Sequence, residues 1–420
     1  MAHDESQFKL KALTYDQRRE VFDRTAAKIT KHYFDPAYNG TDWPRLAKSA
    51  RDQILAVEDP EGFELAMHDL VRKLGTSHTG FFHRSVRRVP ARLAIGATFR
   101  KAETPDGLRW VVQDVHAGGP ADSAGLKPLD VLTALNGKPI VPPEQPVFPM
   151  GTRAGLAVSR NGTETLLDVS VPVPRSRKQP YSEPKAVTHS KLRDSIGYLK
   201  VSILPGLIGI DVSKEILSAV EDLSGCDRLI LDLRGHLGGG LGVLRLMSCL
   251  HPGKIPIGYT VTRKRAERGY RKEDLPTLDR IPSSKLMGIP SMILEYAGRD
   301  ESVVLVTEGL GPRKFHGRIV ILTNEHTVSA GEMVCAFAQE NRLATILGTE
   351  TAGRLIPGSG FKVGYGYMVI MPKAAYITWH GNRFEGRGVK PDVEVPWSPE
   401  EFREGKDNQL EAGVEAVMMM

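Results

Sequence analysis

From Ile196 onward, short apolar runs alternate with stretches of helical spacing, and no other feature constrains the fold as tightly. Strand-like runs cover Tyr198–Ile203, Arg228–Leu233, Val303–Thr307, Arg318–Thr323 and Ala344–Leu347. Helical stretches cover Asp211–Leu223, Leu241–Cys249 and Ala330–Asn341. Strands that alternate with helices predict a parallel sheet covered by helices, an α/β core. The late stretch Tyr365–Thr378 reads as a β-hairpin closing that core.

Upstream the pattern changes twice. Val21, Phe22, Ala26, Ile29 and Tyr33 recur at helical spacing, so Tyr15–Tyr33 is expected to be a helix. Two more are expected over Asp42–Val57 and Pro60–Lys73, the latter opened by Asp59-Pro60-Glu61 and stopped by Gly75. From Pro90 to Pro174, β-type runs such as Val131–Leu135 alternate with turn signals, with Asn136-Gly137 and Asn161-Gly162 as hairpin turns. Residues 175–193 hold several charges and two prolines and read as a linker. The expected division is a helical unit over 1–88, a β-module over 89–175 and an α/β core over 176–420.

Composition excludes several classes. At 41% hydrophobic and 25% charged residues, the chain is neither disordered nor collagen-like. Cys226, Cys249 and Cys335 are too few and too far apart for a disulfide framework or a cysteine zinc site. A net charge of +6 is too weak to point to nucleic acid. No apolar run approaches the roughly 18–20 residues that span a bilayer. The stretch Met1–Lys9 lacks the apolar core of a secretory signal, so the expectation is a cytoplasmic protein without membrane partners, or an exported one if a signal has been trimmed. The basic clusters Arg84–Arg92 and Arg263–Lys272 read as solvated faces.

Three short segments carry candidate chemistry. In Asn324-Glu-His-Thr-Val-Ser329-Ala-Gly-Glu332, a serine stands where a strand gives way to a helix. It reads both as a capping box with Glu332 and as an exposed nucleophile at a helix N-terminus. Arg234-Gly-His-Leu-Gly238-Gly239-Gly240-Leu-Gly242 also follows a strand and opens a helix. Its spacing fits neither a dinucleotide fingerprint nor a phosphate loop, which leaves an oxyanion hole or a tight turn. His78, in Leu74-Gly-Thr-Ser77-His78-Thr79-Gly80, supplies the imidazole that a serine nucleophile needs at neutral pH. His326 is a rival base, disfavoured because it lies only three residues before Ser329.

Together these segments resemble the carboxy-terminal processing (tail-specific) serine protease family, the group that includes the tricorn core protease. Val115-His-Ala-Gly-Gly-Pro120-Ala-Asp-Ser-Ala-Gly125 through Asn136-Gly137 is similar to a PDZ domain, as is Arg92-Leu-Ala-Ile-Gly96-Ala97. The segments around Gly238, Ser329 and Gly386-Arg-Gly-Val-Lys-Pro-Asp392 are similar to the protease core. The resemblance implies an α/β multidomain fold: a helical N-terminal unit, a PDZ β-module and a ClpP/crotonase-like α/β protease core. It implies Ser329 as nucleophile, with an oxyanion hole from the N–H of Ala330 and that of Gly238 or Gly239. It also implies a peptide carboxylate site at Leu93, Ala94, Ile95 and Gly96. Where one branch carries a lysine base, this chain has Arg354. A guanidinium stays protonated and cannot take a proton from serine. The tricorn-like branch implies a relay of Ser329, His78, Ser77 and Glu385 instead. The expectation is a serine endopeptidase acting on polypeptides with a free C-terminus, with no cofactor and no metal. Two alternatives stay open: an inactive peptide-binding homologue, and an acyl-transferring enzyme that matures a dedicated peptide.

Overall fold

A computed structural model describes residues 10–84, 88–172, 185–193, 195–284 and 302–420. The main sheet has six strands in the order Val187–Lys191, Ile196–Val201, Arg228–Asp232, Arg318–Thr323, Thr345–Gly348, Val393–Glu394. The first pair is antiparallel and every later pair is parallel. Leu229, Ile230 and Leu231, and Ile319 through Leu322, are buried without alternation. Such runs mark strands covered on both faces. One face packs Leu231 and Ile321 against Ile216 and Val334 of two helices. On the other, Ile230, Val320 and Leu322 meet Val414 and Val417 of the helix Asn408–Met419.

Two expectations are corrected. Residues 187–191, read as linker, form the edge strand of the main sheet; residues 175–184 lie outside the described segments. Nor is Tyr365–Thr378 a hairpin. Tyr367–Pro372 pairs with Gly358–Gly364, while Ala374–Thr378 pairs with Pro256–Thr262 in another sheet. Only Lys373 separates the two strands. A hairpin needs at least about two loop residues, so the chain bends from one sheet into the next.

The N-terminal helices run Tyr15–His32, Trp43–Leu55 and Pro60–Arg72. Each is capped at its start: Thr14 and Gln17 exchange hydrogen bonds, and Asp42 and Asp59 accept from Arg45 N and Gly62 N. These helices do not close a core alone. Val21, Trp43, Phe63 and Met67 pack with Phe81 and with Val363, Tyr367 and Val369 of the Gly358–Pro372 hairpin. A unit of this size is short of apolar area, and the distant hairpin supplies it. The strand Gly80–His83 pairs with the same hairpin, which ties the Ser77–His78 segment to the core.

The central module has its own apolar cluster and a sheet in the order Ala97–Thr104, Gly107–Val115, Val131–Leu135, Arg153–Arg160, Thr163–Ser170. Both predicted tight turns form. Asn136 and Gly137 have φ of 51° and 74°, and Asn161 and Gly162 have φ of 51° and 79°, the left-handed pair that a two-residue hairpin requires. The three cysteines are free and buried. Among the described residues no helix is long and apolar enough to cross a membrane.

The base of the glycine-rich loop is held by charge. Arg234 bonds Asp232, which is fully buried, and also Asp407, at 2.7 Å each. The guanidinium holds the Asp232 carboxyl well below the usual carboxylate range, although burial acts the other way. Arg234→Ala strands that carboxylate and should cost about 3–5 kcal/mol. A lower midpoint in urea unfolding is the readout; an unchanged midpoint would contradict the assignment.

Candidate active site

Ser329 follows the strand Arg318–Thr323 and caps the helix Ala330–Glu340. Its φ of 55° and ψ of −116° lie outside the regions favoured by L-residues, a strain of about 1–3 kcal/mol that surrounding contacts must hold. Those contacts centre on Glu332. Its carboxylate is fully buried and accepts from Ser329 N at 3.0 Å, Thr351 Oγ1 and Gly353 N at 2.7 Å, and Arg354 N at 2.8 Å. Burial pushes its pKa up, and the four donors oppose that. The capping box read from sequence is therefore also the anchor of the 351–354 segment, a role that local spacing could not reveal.

The glycine-rich loop lies against this turn. A Cβ on Gly238 would come within 2.7 Å of Ser329 Cβ, and one on Gly239 within 2.0 Å of the Leu204 carbonyl oxygen. Only glycine permits this approach, and both residues have positive φ. The Gly238 N–H donates to His236 Nδ1 at 2.9 Å. Among the described residues the N–H groups of Gly239 and Ala330 have no protein acceptor. Of the two glycine amides considered from sequence, Gly239 is the one left available beside Ala330. His236 is fully buried, and burial pulls its pKa down to about 4, so the ring is neutral. With Nδ1 accepting, its proton sits on Nε2.

The second half of the site joins residues 308 positions apart. Glu385 Oε1 accepts from Ser77 N at 2.5 Å, and Oε2 accepts from Ser77 Oγ at 3.0 Å. The same Oε2 accepts from Leu355 N at 2.9 Å and Ile356 N at 3.1 Å. Ser77 Oγ is also 3.0 Å from His78 Nδ1. A hydroxyl has one proton, and here it points to the carboxylate. The Ser77–His78 contact must then run from Nδ1–H to Oγ, which leaves the Nε2 lone pair free. His78 as a whole is exposed. The surrounding protein still lowers its pKa below 6.5, with Arg354 adding to that shift and Glu385 opposing it.

The residues named from sequence fall into two groups. Ser77, His78 and Glu385 form one hydrogen-bonded chain; Gly238, Gly239, Ser329 and Ala330 form the other. Segment 353–356 bridges them, with two amides on Glu332 and two on Glu385. No hydrogen bond joins the Ser329 hydroxyl to His78. His326 is turned elsewhere, with Nε2 3.0 Å from Gln113 Oε1 of the central module.

Leu93, Ala94 and Ile95 lie in the short helix Ala91–Ile95 rather than an open loop, and Gly96 follows it. Ala94 and Ile95 are buried in the module core. Gly96 N–H donates to Arg92 O, and Gly96 O accepts from His116 N–H. Arg92, read as part of a solvated basic face, is buried and donates to Gly235 O at 3.3 Å. Its apolar neighbours Ala91 and Ala94 pull the helix inward, and the charge is met by the carbonyls of Gly235 and Gly96 and by Asp114.

A half-buried, strained serine at a helix N-terminus, set against a glycine-rich turn, fits the class of serine-type peptidases. Residues 195–395 match the model of peptidase family S41. A tricorn protease homologue of Streptomyces coelicolor is 25% identical over 94% of this chain. A carboxyl-terminal-processing protease of Synechocystis is 22% identical over 92% of this chain and 83% of its own length. The chain spans about a third of the length of the two tricorn homologues it matches (32% and 34%). In fold it is similar to the photosystem II D1 C-terminal processing protease, with a TM-score of 0.58 at 17% identity over 91% of this chain and 94% of that one. It is also similar to mature CPAF complexed with lactacystin, with a TM-score of 0.60 at 15% identity over 96% and 98%.

Proposed function

We propose that the protein is a serine endopeptidase in which Ser329 attacks the peptide carbonyl and His78 is the general base. The observation that carries this reading is the chain Glu385–Ser77–His78, which fixes the imidazole tautomer with Nε2 free. His78 takes the hydroxyl proton and returns it to the leaving amine. The Ser77 hydroxyl and the Glu385 carboxylate stabilise the imidazolium that forms. The amides of Gly239 and Ala330 receive the developing oxyanion. The Ser329–His78 hydrogen bond closes when substrate binds; apo sites commonly hold such pairs apart. The lysine base of the sister branch is replaced by Arg354, and the relay makes it unnecessary.

The central module is the proposed receptor for a polypeptide tail. Its strand Ala97–Thr104 lies at the edge of the sheet, where an extended peptide can add as a further strand. The Gly96 amide is already paired, so strand addition, more than carboxylate capture at residues 93–96, carries the recognition.

A fluorophosphonate probe tests the nucleophile. Labelling of folded protein at Ser329, located by peptide mass mapping, is the expected result. Folded protein that stays unlabelled would favour the inactive peptide-binding alternative. Masses of the products from a peptide panel separate hydrolysis from acyl transfer, since transfer leaves ligated or cyclised products.

A further inference from the structure

Arg354 stands between the two halves of the site and has no evident structural task. Its backbone N–H shares Glu332 Oε2 with the Ser329 N–H, at 2.8 and 3.0 Å. The next amide, of Leu355, shares Glu385 Oε2 with the Ser77 hydroxyl, at 2.9 and 3.0 Å. The backbone at Arg354 is therefore fixed within a few ångströms of both the nucleophile and the relay. The side chain is exposed and makes no hydrogen bond or ion pair among the described residues. Its neighbours differ: Glu332 and Glu385 both have their oxygens filled by other donors, so neither is free to neutralise it.

We propose that Arg354 is a specificity residue that binds a carboxylate of the substrate beside the scissile bond. This rests on the hydrolase reading above and names its substrate class: polypeptides carrying an acidic side chain, or their own C-terminal carboxylate, next to the cleaved peptide. A guanidinium offers five N–H donors in a planar fork that matches a carboxylate bidentately. Its charge reaches the proposed base, because it adds to the lowering of the His78 pKa that burial begins. A bound carboxylate would relieve that effect on His78, so the acidic substrate also makes the base more basic as it docks.

The experiment digests an equimolar peptide library with wild-type protein and with Arg354→Gln and Arg354→Glu, and reads cleavage sites by mass spectrometry. Wild type should cut acid-flanked sites preferentially. Arg354→Gln should reduce the ratio of acidic to neutral cleavage about tenfold or more, and Arg354→Glu should shift preference toward Lys- and Arg-flanked sites. A matched set of C-terminally amidated peptides separates the two carboxylate sources: loss of preference on amidation assigns the terminal carboxylate, and its retention assigns the side chain. Profiles with no acid preference in wild type, or identical in all three proteins, overturn the proposal. Fluorophosphonate labelling is run alongside. Labelled protein with an unbiased profile sinks the role of Arg354 alone, whereas unlabelled protein sinks the hydrolase reading and this inference with it.

Discussion

Replacing Ser329 with alanine is expected to lower kcat/KM for peptide hydrolysis by about a millionfold, and His78→Ala by a similar factor. In the proposed relay both residues act in one proton-transfer event, so the double variant should be little worse than either single one. That non-additivity is the discriminating result. A serine that only capped the helix Ala330–Glu340 would give a modest stability change and leave turnover intact. Urea unfolding of Ser329→Ala separates the two readings, because the strained φ of 55° at Ser329 disfavours alanine no less than serine. Near-wild-type turnover in His78→Ala would remove the imidazole from the mechanism. His326, held against Gln113, would not be its substitute without leaving that partner.

Glu385→Gln is the second large effect. The carboxylate accepts four hydrogen bonds, from Ser77 N, Ser77 Oγ, Leu355 N and Ile356 N. An amide keeps the shape but turns one acceptor end into a donor that faces other donors. Activity should fall by about 10^4-fold, as when the orienting acid of a triad is lost. The pH profile adds a direction. As the proposed base, His78 can act only when neutral, so the acidic limb of kcat/KM should follow its pKa. Glu385 raises that pKa and Arg354 lowers it, both against a larger lowering by burial. Removing Glu385 should therefore move the limb to lower pH, and removing Arg354 should move it to higher pH. Opposite shifts in the two variants would mark both charges as acting on the same imidazole. Because the folded pKa lies below the ordinary 6.5, the folded state binds fewer protons than the unfolded chain between the two values. The His78 contribution to stability accordingly falls as pH drops through that window.

Much of the architecture is legible in periodicity. The three N-terminal helices carry their own caps, and the buried strands Arg228–Asp232 and Arg318–Thr323 carry unbroken apolar runs. The failures share one cause. Tyr367–Pro372 and Ala374–Thr378 are each strands by composition, but which sheet each joins depends on partners far off in sequence, Gly80–His83 for the first and Pro256–Thr262 for the second. Residues 187–191 look like linker because an exposed edge strand needs few apolar residues. Arg92 looks solvated because no local pattern shows the Gly235 carbonyl, 143 residues away, that receives it.

The sequence by itself determined the strand-and-helix alternation of the core, the glycine-rich turn at 238–240, and the permanent positive charge at Arg354. These are properties of single residues and short windows: backbone freedom at Gly238 and Gly239, apolar spacing, the fixed charge of Arg354. Only the tertiary structure decided which way the His78 imidazole carries its proton, which glycine amide is free, and what stands between Ser329 and His78. Those depend on hydrogen bonds between groups as far as 308 residues apart, and a hydroxyl with one proton or a carboxylate with four donors settles its partners only once the chain has closed around it.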